Sequence, residues 1–455
     1  MPDRPDIHSN LLFHVHHLSN LDCQILFDEH RRWARLHAPV NLARTSHDNV
    51  PDPDRRLRIG YISPDFYGHP VAFFFESLLD GHDTQAVEVY GYGNVRVPDP
   101  LTERLKSKFH HYRNIYKVDD KKVVSMIETD RIDILVDLAG HTGGNRLPVM
   151  AYKPAPIQAT YLGYFETTGM EQIDYFLTDE LTSPPQSQQF HTEELVFLPG
   201  GFLCYKPPDC FFPITPLPAA QNGHITFGIF GNNCKINSSI ISLWARILDS
   251  NENSRLLLMF RGGQDRQFRE HYFRKFEQFG IPRHRVDILD RKPLLEYFKE
   301  YSKVDIVLDT YPYNGGTTTC DAMWMGVPVV SLCGEHHMSR VGLSILSNVG
   351  LEFFAASTPD EYVSKTIALA AKPKALMKIR ASMRARMAVS PLCNRDKFAA
   401  NIEQAYRKMW YKWCKSKGVD VPSEELRPDA QRLSADTAAC PSKSTQATTN
   451  PLGET

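Results

Sequence analysis

The chain has 455 residues and a formal net charge of -1, so it has material for two or three domains and lacks the basic excess of a general nucleic-acid binder. Its 42% hydrophobic and 23% charged residues are an ordinary globular balance, and its apolar runs are broken by polar residues before they reach the length of a membrane span. Nine cysteines contain no C-x-x-C pair, which argues for reduced thiols over a zinc site or a disulfide framework. With an N-terminus, "MPDRPDIHSN", that lacks the plan of a signal peptide, they predict a cytoplasmic protein.

Residues 1–50 read as helical, because "NLLFHVHHLS" and "CQILFDEHRRWARLH" place apolar residues three and four apart. His14, His16 and His17 read as helix positions, since no acidic or cysteine partner is near in sequence. "PDPDRR" at 51–56 is a linker. From Leu57 strands alternate with helices: "LRIGYIS", then the helix "VAFFFESLLDGH", then the apolar runs "VEVYGYG", "DILVDLAG", "PIQATYLGY", "IDYFLTD" and "ELVFLPG". The proline-rich "YKPPDCFFPITPLPAAQNG" (205–223) interrupts the pattern. A second series then runs from "HITFGIFG" through "RLLLMF", "VDILD" and "DIVLDTY" to "PVVSL", with helices between.

Such alternation implies parallel sheets covered on both faces. The fold class is therefore α/β, with two Rossmann-like doubly wound domains facing a cleft, a helical N-terminal segment and C-terminal helices. The expected division is a helical segment and linker at 1–56, an N-terminal lobe at 57–215, a C-terminal lobe at 216–390, helices at 391–424 and a disordered tail at 425–455. Ligands in such sheets bind beyond the C-terminal strand ends.

Polar loops at those ends carry the candidate chemistry. "GGTTTCDAMWMG" follows an apolar strand and opens a helix. First-turn N–H groups without internal partners, with glycines and threonine hydroxyls beside them, form an anion site; a capped helix behind a flexible loop is the alternative. "FGNNCKINSS" places Lys235 at another strand end of the same domain, where it could neutralise a diphosphate or stand solvated in a turn. Both motifs can face one anion. In "SPDFYGHP", His69 is a general base, a hydroxyl-binding group or a turn cap. "DLAGHTGGNR" offers His141, Thr142 and Arg146 to an anion or a sugar.

Taken together, these motifs resemble the catalytic region of the O-linked N-acetylglucosamine transferase and SPINDLY-type family, glycosyltransferase family 41. The resemblance runs from about residue 57 to 415 and is nearest to bacterial members. It is carried by "RIDILVDLAGHTGGNR", "PAPIQATYLGY", "LPGGFLCY", "AMWMGVPVV" and "SRVGLSILSNVGL". Residues 1–50 resemble the segment that joins this region to a tetratricopeptide array in longer relatives.

The resemblance implies two lobes of the glycosyltransferase B type, with the nucleotide sugar in the C-terminal one. It assigns Lys235 and the paired Thr317 and Thr318 to the donor diphosphate, Asp321 to the ribose and Asn232 to the nucleotide. His69 matches the active-site histidine of the N-terminal lobe. Gly316 stands where animal N-acetylglucosamine transferases have a histidine, and the same Gly-Thr-Thr form occurs in SPINDLY proteins that use GDP-fucose. Tyr297 stands in place of a histidine that stacks on uracil in the family, and "GYFETTG" replaces a Gly-Tyr-Pro-Gly form.

The implied activity is inverting transfer of N-acetylglucosamine from UDP-N-acetylglucosamine to Ser or Thr hydroxyls of a protein or peptide. Transfer of fucose from GDP-fucose and an inactive nucleotide-sugar-binding scaffold are the alternatives. No metal or other cofactor, no nucleic acid and no membrane partner are expected.

Overall fold

The computed structural model describes residues 4–18, 21–210 and 212–421. The tail expected at 425–455, and residues 422–424 of the expected C-terminal helices, lie outside the described residues. Two helices come first, α1 (Pro5–Val15) and α2 (Cys23–His37). Asp22 caps α2 by accepting the Ile25 N–H.

The N-terminal lobe then runs β1 (Leu57–Ser63), α3 (Pro70–Gly81), β2 (Val87–Gly93), α4 (Pro100–Lys106), β3 (His111–Asn114), α5 (Asp120–Asp130) and β4 (Ile134–Asp137). It continues through α6 (Leu147–Met150), β5 (Ile157–Thr160), β6 (Tyr175–Thr178) and β7 (Glu194–Phe197). Its seven strands are all parallel, in the order β3-β2-β1-β4-β5-β6-β7.

The C-terminal lobe runs α7 (Ala219–Asn222), β8 (Ile225–Phe230), α8 (Ser238–Asp249), β9 (Ser254–Phe260), α9 (Arg266–Glu277), β10 (Val286–Asp290) and α10 (Leu294–Glu300). After these come β11 (Ile306–Leu308), α11 (Thr317–Trp324), β12 (Val329–Leu332), α12 (Val341–Asn348) and β13 (Ala355–Ala356). The six strands are again parallel, in the order β10-β9-β8-β11-β12-β13. Three helices close the described chain: α13 (Pro359–Ala370), α14 (Pro373–Ala388) and α15 (Arg395–Ser416).

Each lobe thus repeats one plan. Its first and fourth strands are neighbours, and strand order reverses between them. Loops leaving those two strands diverge and leave a crevice, which is where doubly wound sheets bind ligands. The crevices here lie beyond β1 and β4 and beyond β8 and β11.

Two tertiary features bind the lobes to the flanking helices. Leu12, Trp33, Ala34 and Ala38 of the helical segment share one core with Ile62, Tyr92, Leu135 and Ile173 of the N-terminal lobe. At the other end of the chain α15 crosses back onto that lobe. The Tyr406 and Tyr61 hydroxyls meet at 3.1 Å, His82 Nδ1 donates to Glu403 at 2.7 Å, and Trp410 Nε1 donates to the Asp52 carbonyl at 2.9 Å.

The loop "YLGYFETTG" leaves β5 directly over the end of β4. A Cβ added to Gly163 would sit 1.9 Å from the Leu138 carbonyl oxygen, so only glycine lets the two backbones pass. Gly163→Ala is expected to destabilise the lobe by about 1–3 kcal/mol, read as a lowered melting temperature. An unchanged melting curve would show that the loop can shift without cost.

Candidate active site

The donor half of the site is built from the loops leaving β8 and β11. Gly231 follows β8 at φ +148°, a conformation that suits glycine. The exposed Asn232 accepts the Cys234 N–H at 3.2 Å and starts a short turn that carries Lys235. Asn237 accepts the Ile240 N–H to cap α8, and its Nδ2 donates to the Tyr311 carbonyl at 2.8 Å. That last bond joins the first loop to the second.

The second loop is ordered from beneath by Asp309. Its carboxylate accepts from Gly315 N at 2.7 Å, Thr310 N at 2.8 Å and Ser331 Oγ at 2.6 Å. Burial pushes its pKa up to about 6 despite these donors. Gly315 leaves no room for a side chain: a Cβ would lie 2.6 Å from Thr319 Oγ1 and 2.7 Å from Thr318 Oγ1.

Helix α11 then begins at Thr317 with no side chain capping its first turn. The Thr317 hydroxyl is buried and has no hydrogen-bond partner. An uncapped helix start beside an unpaired buried donor has the chemistry to accept an anion. The two loops meet there, since a Cβ on Gly231 would lie 3.9 Å from Thr318 Cγ2.

Lys235 completes this half. Its ammonium donates to the Asn314 carbonyl at 2.7 Å and lies 4.2 Å from the centroid of the Tyr313 ring. Burial pulls its pKa down to about 8, against a smaller opposing pull from Asp309. Asp321 lies one turn into α11, buried, and accepts from Tyr205 at 2.7 Å and Tyr297 at 3.0 Å. Burial pushes its pKa up to about 7. The Tyr297 hydroxyl also meets that of Tyr301 at 2.6 Å.

The facing half comes from the loop after β1. His69 caps α3, with Nδ1 accepting the Val71 N–H at 3.4 Å. Burial, with a smaller push from Arg291 of the opposite lobe, lowers its pKa to about 4, so the ring is neutral near pH 7. Gly316 faces the same lobe: a Cβ there would meet only Phe74 of α3, at 3.8 Å.

Asn232, Lys235, Gly316, Thr317 and Thr318 therefore gather at the β8/β11 crevice, and Tyr297 and Asp321 are linked to them through Tyr301, which donates to the Thr318 carbonyl at 3.3 Å. The three residues offered from "DLAGHTGGNR" are placed otherwise. His141 is fully buried, its ring nitrogens engaged by Ser9 Oγ at 3.0 Å and the Thr168 carbonyl at 2.9 Å, which leaves no atom for a ligand. Arg146 is spent on Asp120, Asn94 and the Ile115 carbonyl. Thr142 donates to the Ala139 carbonyl at 2.8 Å.

Three residues of the site went unassigned in the sequence: Asp309, Tyr313 and Asp65. Asp65 lies behind His69, with Oδ1 3.5 Å from Nδ1 and a buried Oδ2 that has no partner. The signal for Asp309 was an acid closing an apolar strand just before a glycine loop. Among the described residues, no group of three or more His, Cys, Asp or Glu could hold a metal ion.

Two parallel sheets, each with a crevice at its C-terminal end, define the architecture of the glycosyltransferase B type. A galactosyltransferase of lipopolysaccharide outer core, WaaB, shares this fold at TM-score 0.50 and 12% identity, covering 78% of this chain and 99% of its own. The chain belongs to glycosyl transferase family 41, whose family model matches residues 36–211 and 217–402. A probable UDP-N-acetylglucosamine–peptide N-acetylglucosaminyltransferase SPINDLY of Arabidopsis thaliana is 42% identical over 430 residues, 93% of this chain and 46% of the relative. The chain thus spans under half the length of the curated relatives it matches. A mutant O-GlcNAc transferase of Thermobaculum terrenum superposes with TM-score 0.87 at 35% identity, over 91% of this chain and 79% of that one.

Two outcomes follow from this geometry. Gly315→Ala, which drives a methyl group into Thr318 and Thr319, is expected to weaken UDP binding by calorimetry at least about tenfold. UDP affinity is also expected to fall as pH rises through about 8, where free Lys235 loses its proton, by about tenfold per pH unit beyond it. A flat profile from pH 7 to 9.5 would separate Lys235 from anion binding.

Proposed function

We propose that the chain is the catalytic region of an inverting protein O-glycosyltransferase, moving N-acetylglucosamine from UDP-N-acetylglucosamine to a Ser or Thr hydroxyl of a protein or peptide. The observation that carries this reading is Lys235 beside an uncapped helix start with an unpaired, buried Thr317 hydroxyl. The activity named for the SPINDLY relative supports the same donor and acceptor classes, and that of the Thermobaculum transferase the same sugar.

In this reaction the acceptor oxygen bonds to the anomeric carbon as the bond to the diphosphate oxygen breaks. The electron pair leaves with the nucleoside diphosphate. Lys235, the first-turn N–H groups of α11 and the hydroxyls of Thr317 and Thr318 meet the charge that develops there, and they are ordered before the donor arrives. Asn232, Asp321 and Tyr297 border the same pocket on the nucleoside side. These groups supply the positive field without a metal, so transfer is expected to persist in excess EDTA; its loss and recovery with a divalent cation would overturn that part.

His69 has a narrower role than a general base. In the tautomer whose Nδ1 accepts the Val71 N–H, the neutral ring carries its proton on Nε2. A ring with pKa about 4 is also a weak proton acceptor at pH 7. His69 therefore donates a hydrogen bond that orients a reactant, and the acceptor proton goes to a donor phosphate oxygen.

The bare Gly316 supports a second donor, since the space a histidine would fill beside Phe74 is open to another sugar or base. Melting curves with UDP, GDP, UDP-N-acetylglucosamine and GDP-fucose separate the two. A ligand at a hundredfold excess over its Kd raises stability by about 2.7 kcal/mol. Stabilisation by the uridine pair supports the N-acetylglucosamine reading; stabilisation by the guanosine pair alone replaces it with a fucosyltransferase. Lys235→Ala is expected to lower turnover about 10²–10³-fold. Activity within a few-fold of wild type would sink the transferase mechanism.

No helix among the described residues is long and apolar enough to cross a membrane. The cysteines among the described residues are all free thiols, which supports a reducing, cytoplasmic setting for this activity.

A further inference from the structure

We propose that Tyr313 is the positioning residue that aims Lys235 at the donor, and that helix α1 and the β5–β6 loop of the N-terminal lobe hold Tyr313 in place. The inference rests on the reading of Lys235 as the diphosphate-binding lysine. It makes the helical segment part of the donor site.

The geometry starts at the ring. Lys235 Nζ lies 4.2 Å from the Tyr313 centroid, within cation–π range, and hydrogen-bonds the carbonyl of the next residue, Asn314. A ring suits this position better than an acid would. A carboxylate in contact would spend the ammonium's charge, whereas an aromatic quadrupole attracts the cation and leaves its full charge for a phosphate.

Tyr313 is gripped from three directions. His17, just past α1, stacks on it at 5.4 Å with the planes 9° apart, and Phe13 of α1 meets it edge-on at 6.4 Å. Phe165, in the "YLGYFETTG" loop, packs at 5.7 Å. Phe165 is fixed in turn by stacking on His337 at 5.2 Å and meeting Phe202 at 5.9 Å.

The helical segment is anchored to both lobes nearby. His336 of the C-terminal lobe donates from Nε2 to the Leu21 carbonyl at 2.8 Å and pairs through Nδ1 with Glu166 of the N-terminal lobe at 3.3 Å. A displacement of α1, or of one lobe against the other, therefore reaches Lys235 through a single aromatic ring. The titratable groups that act on Lys235 are Asp309 at the end of β11 and His17, whose own pKa burial lowers, so that it is neutral at pH 7.

The test measures UDP affinity by calorimetry from pH 7 to 9.5 for wild type, Tyr313→Leu, Tyr313→Phe and His17→Ala, with a melting curve for each. Tyr313→Leu, which removes the ring that favours the charged ammonium, is expected to weaken UDP about tenfold and to move the alkaline fall from about pH 8 to lower pH. Tyr313→Phe, which keeps the ring, restores both. His17→Ala shifts both in the same direction by a smaller amount. A merely structural ring would lower the melting temperature and leave the alkaline fall at pH 8, and that result overturns the proposal. Lys235→Ala is the control. If it binds UDP as wild type does, the donor-site reading fails; if it loses UDP while Tyr313→Leu keeps wild-type affinity and pH profile, only the positioning role fails.

Discussion

The site depends on one ammonium group being held out of water without being neutralised. Removing a lysine from water is unfavourable, and burial pulls the Lys235 pKa down to about 8. An ion pair in contact would offset that penalty at the expense of the anion site. Lys235 instead has a carbonyl, an aromatic face and, farther off, the Asp309 carboxylate, which is itself occupied by three donors. Such a cation gains most when a diphosphate arrives. The fold serves this arrangement directly: only a sheet whose first and fourth strands are neighbours brings the loops of β8 and β11 together.

The same logic explains why the helices at both ends of the chain are structural parts of the lobes. Trp33 and Leu12 complete a core that the N-terminal sheet cannot close alone, and α15 seals the opposite side with Tyr406 and Glu403. A cleft enzyme needs its two lobes set within a fraction of an ångström of the reacting geometry. Here the setting is made by buried polar contacts, the His336–Glu166 pair and the Tyr61–Tyr406 hydroxyls, which are more directional than apolar packing.

Much of this was legible in the residues, for identifiable reasons. β1 and β2 lie at the bounds of "LRIGYIS" and "VEVYGYG", because buried parallel strands are continuous apolar runs. β3 was not read, since His111–Asn114 is an exposed edge with no apolar pattern, and β13 is too short to show one. Lys235, Thr317 and Thr318 were singled out because strand-to-helix loops announce themselves by glycines and small polar residues. His141 was drawn in by the same signal. Its burial against Ser9 depends on packing between residues 132 positions apart, which no local pattern records. Tyr313 was hidden for a related reason: its partners come from α1, the β5–β6 loop and β8's loop, and only the fold assembles them.

Asp321 ties helix α11 to the connection between the lobes. Its carboxylate, with a pKa near 7, accepts from Tyr205, at the head of the proline-rich connection between the lobes, and from Tyr297 of α10. Each oxygen keeps a further lone pair. In the proposed reading, a ribose hydroxyl on one of them would compete with a tyrosine for the same charge, and the contact would reach the interlobe connection through Tyr205. Gly316, five residues earlier in the chain, presents no atom to the cleft beyond its backbone. The space beside Gly316 is bounded by Phe74 of the facing lobe, so in the proposed reading a group seated there touches both lobes.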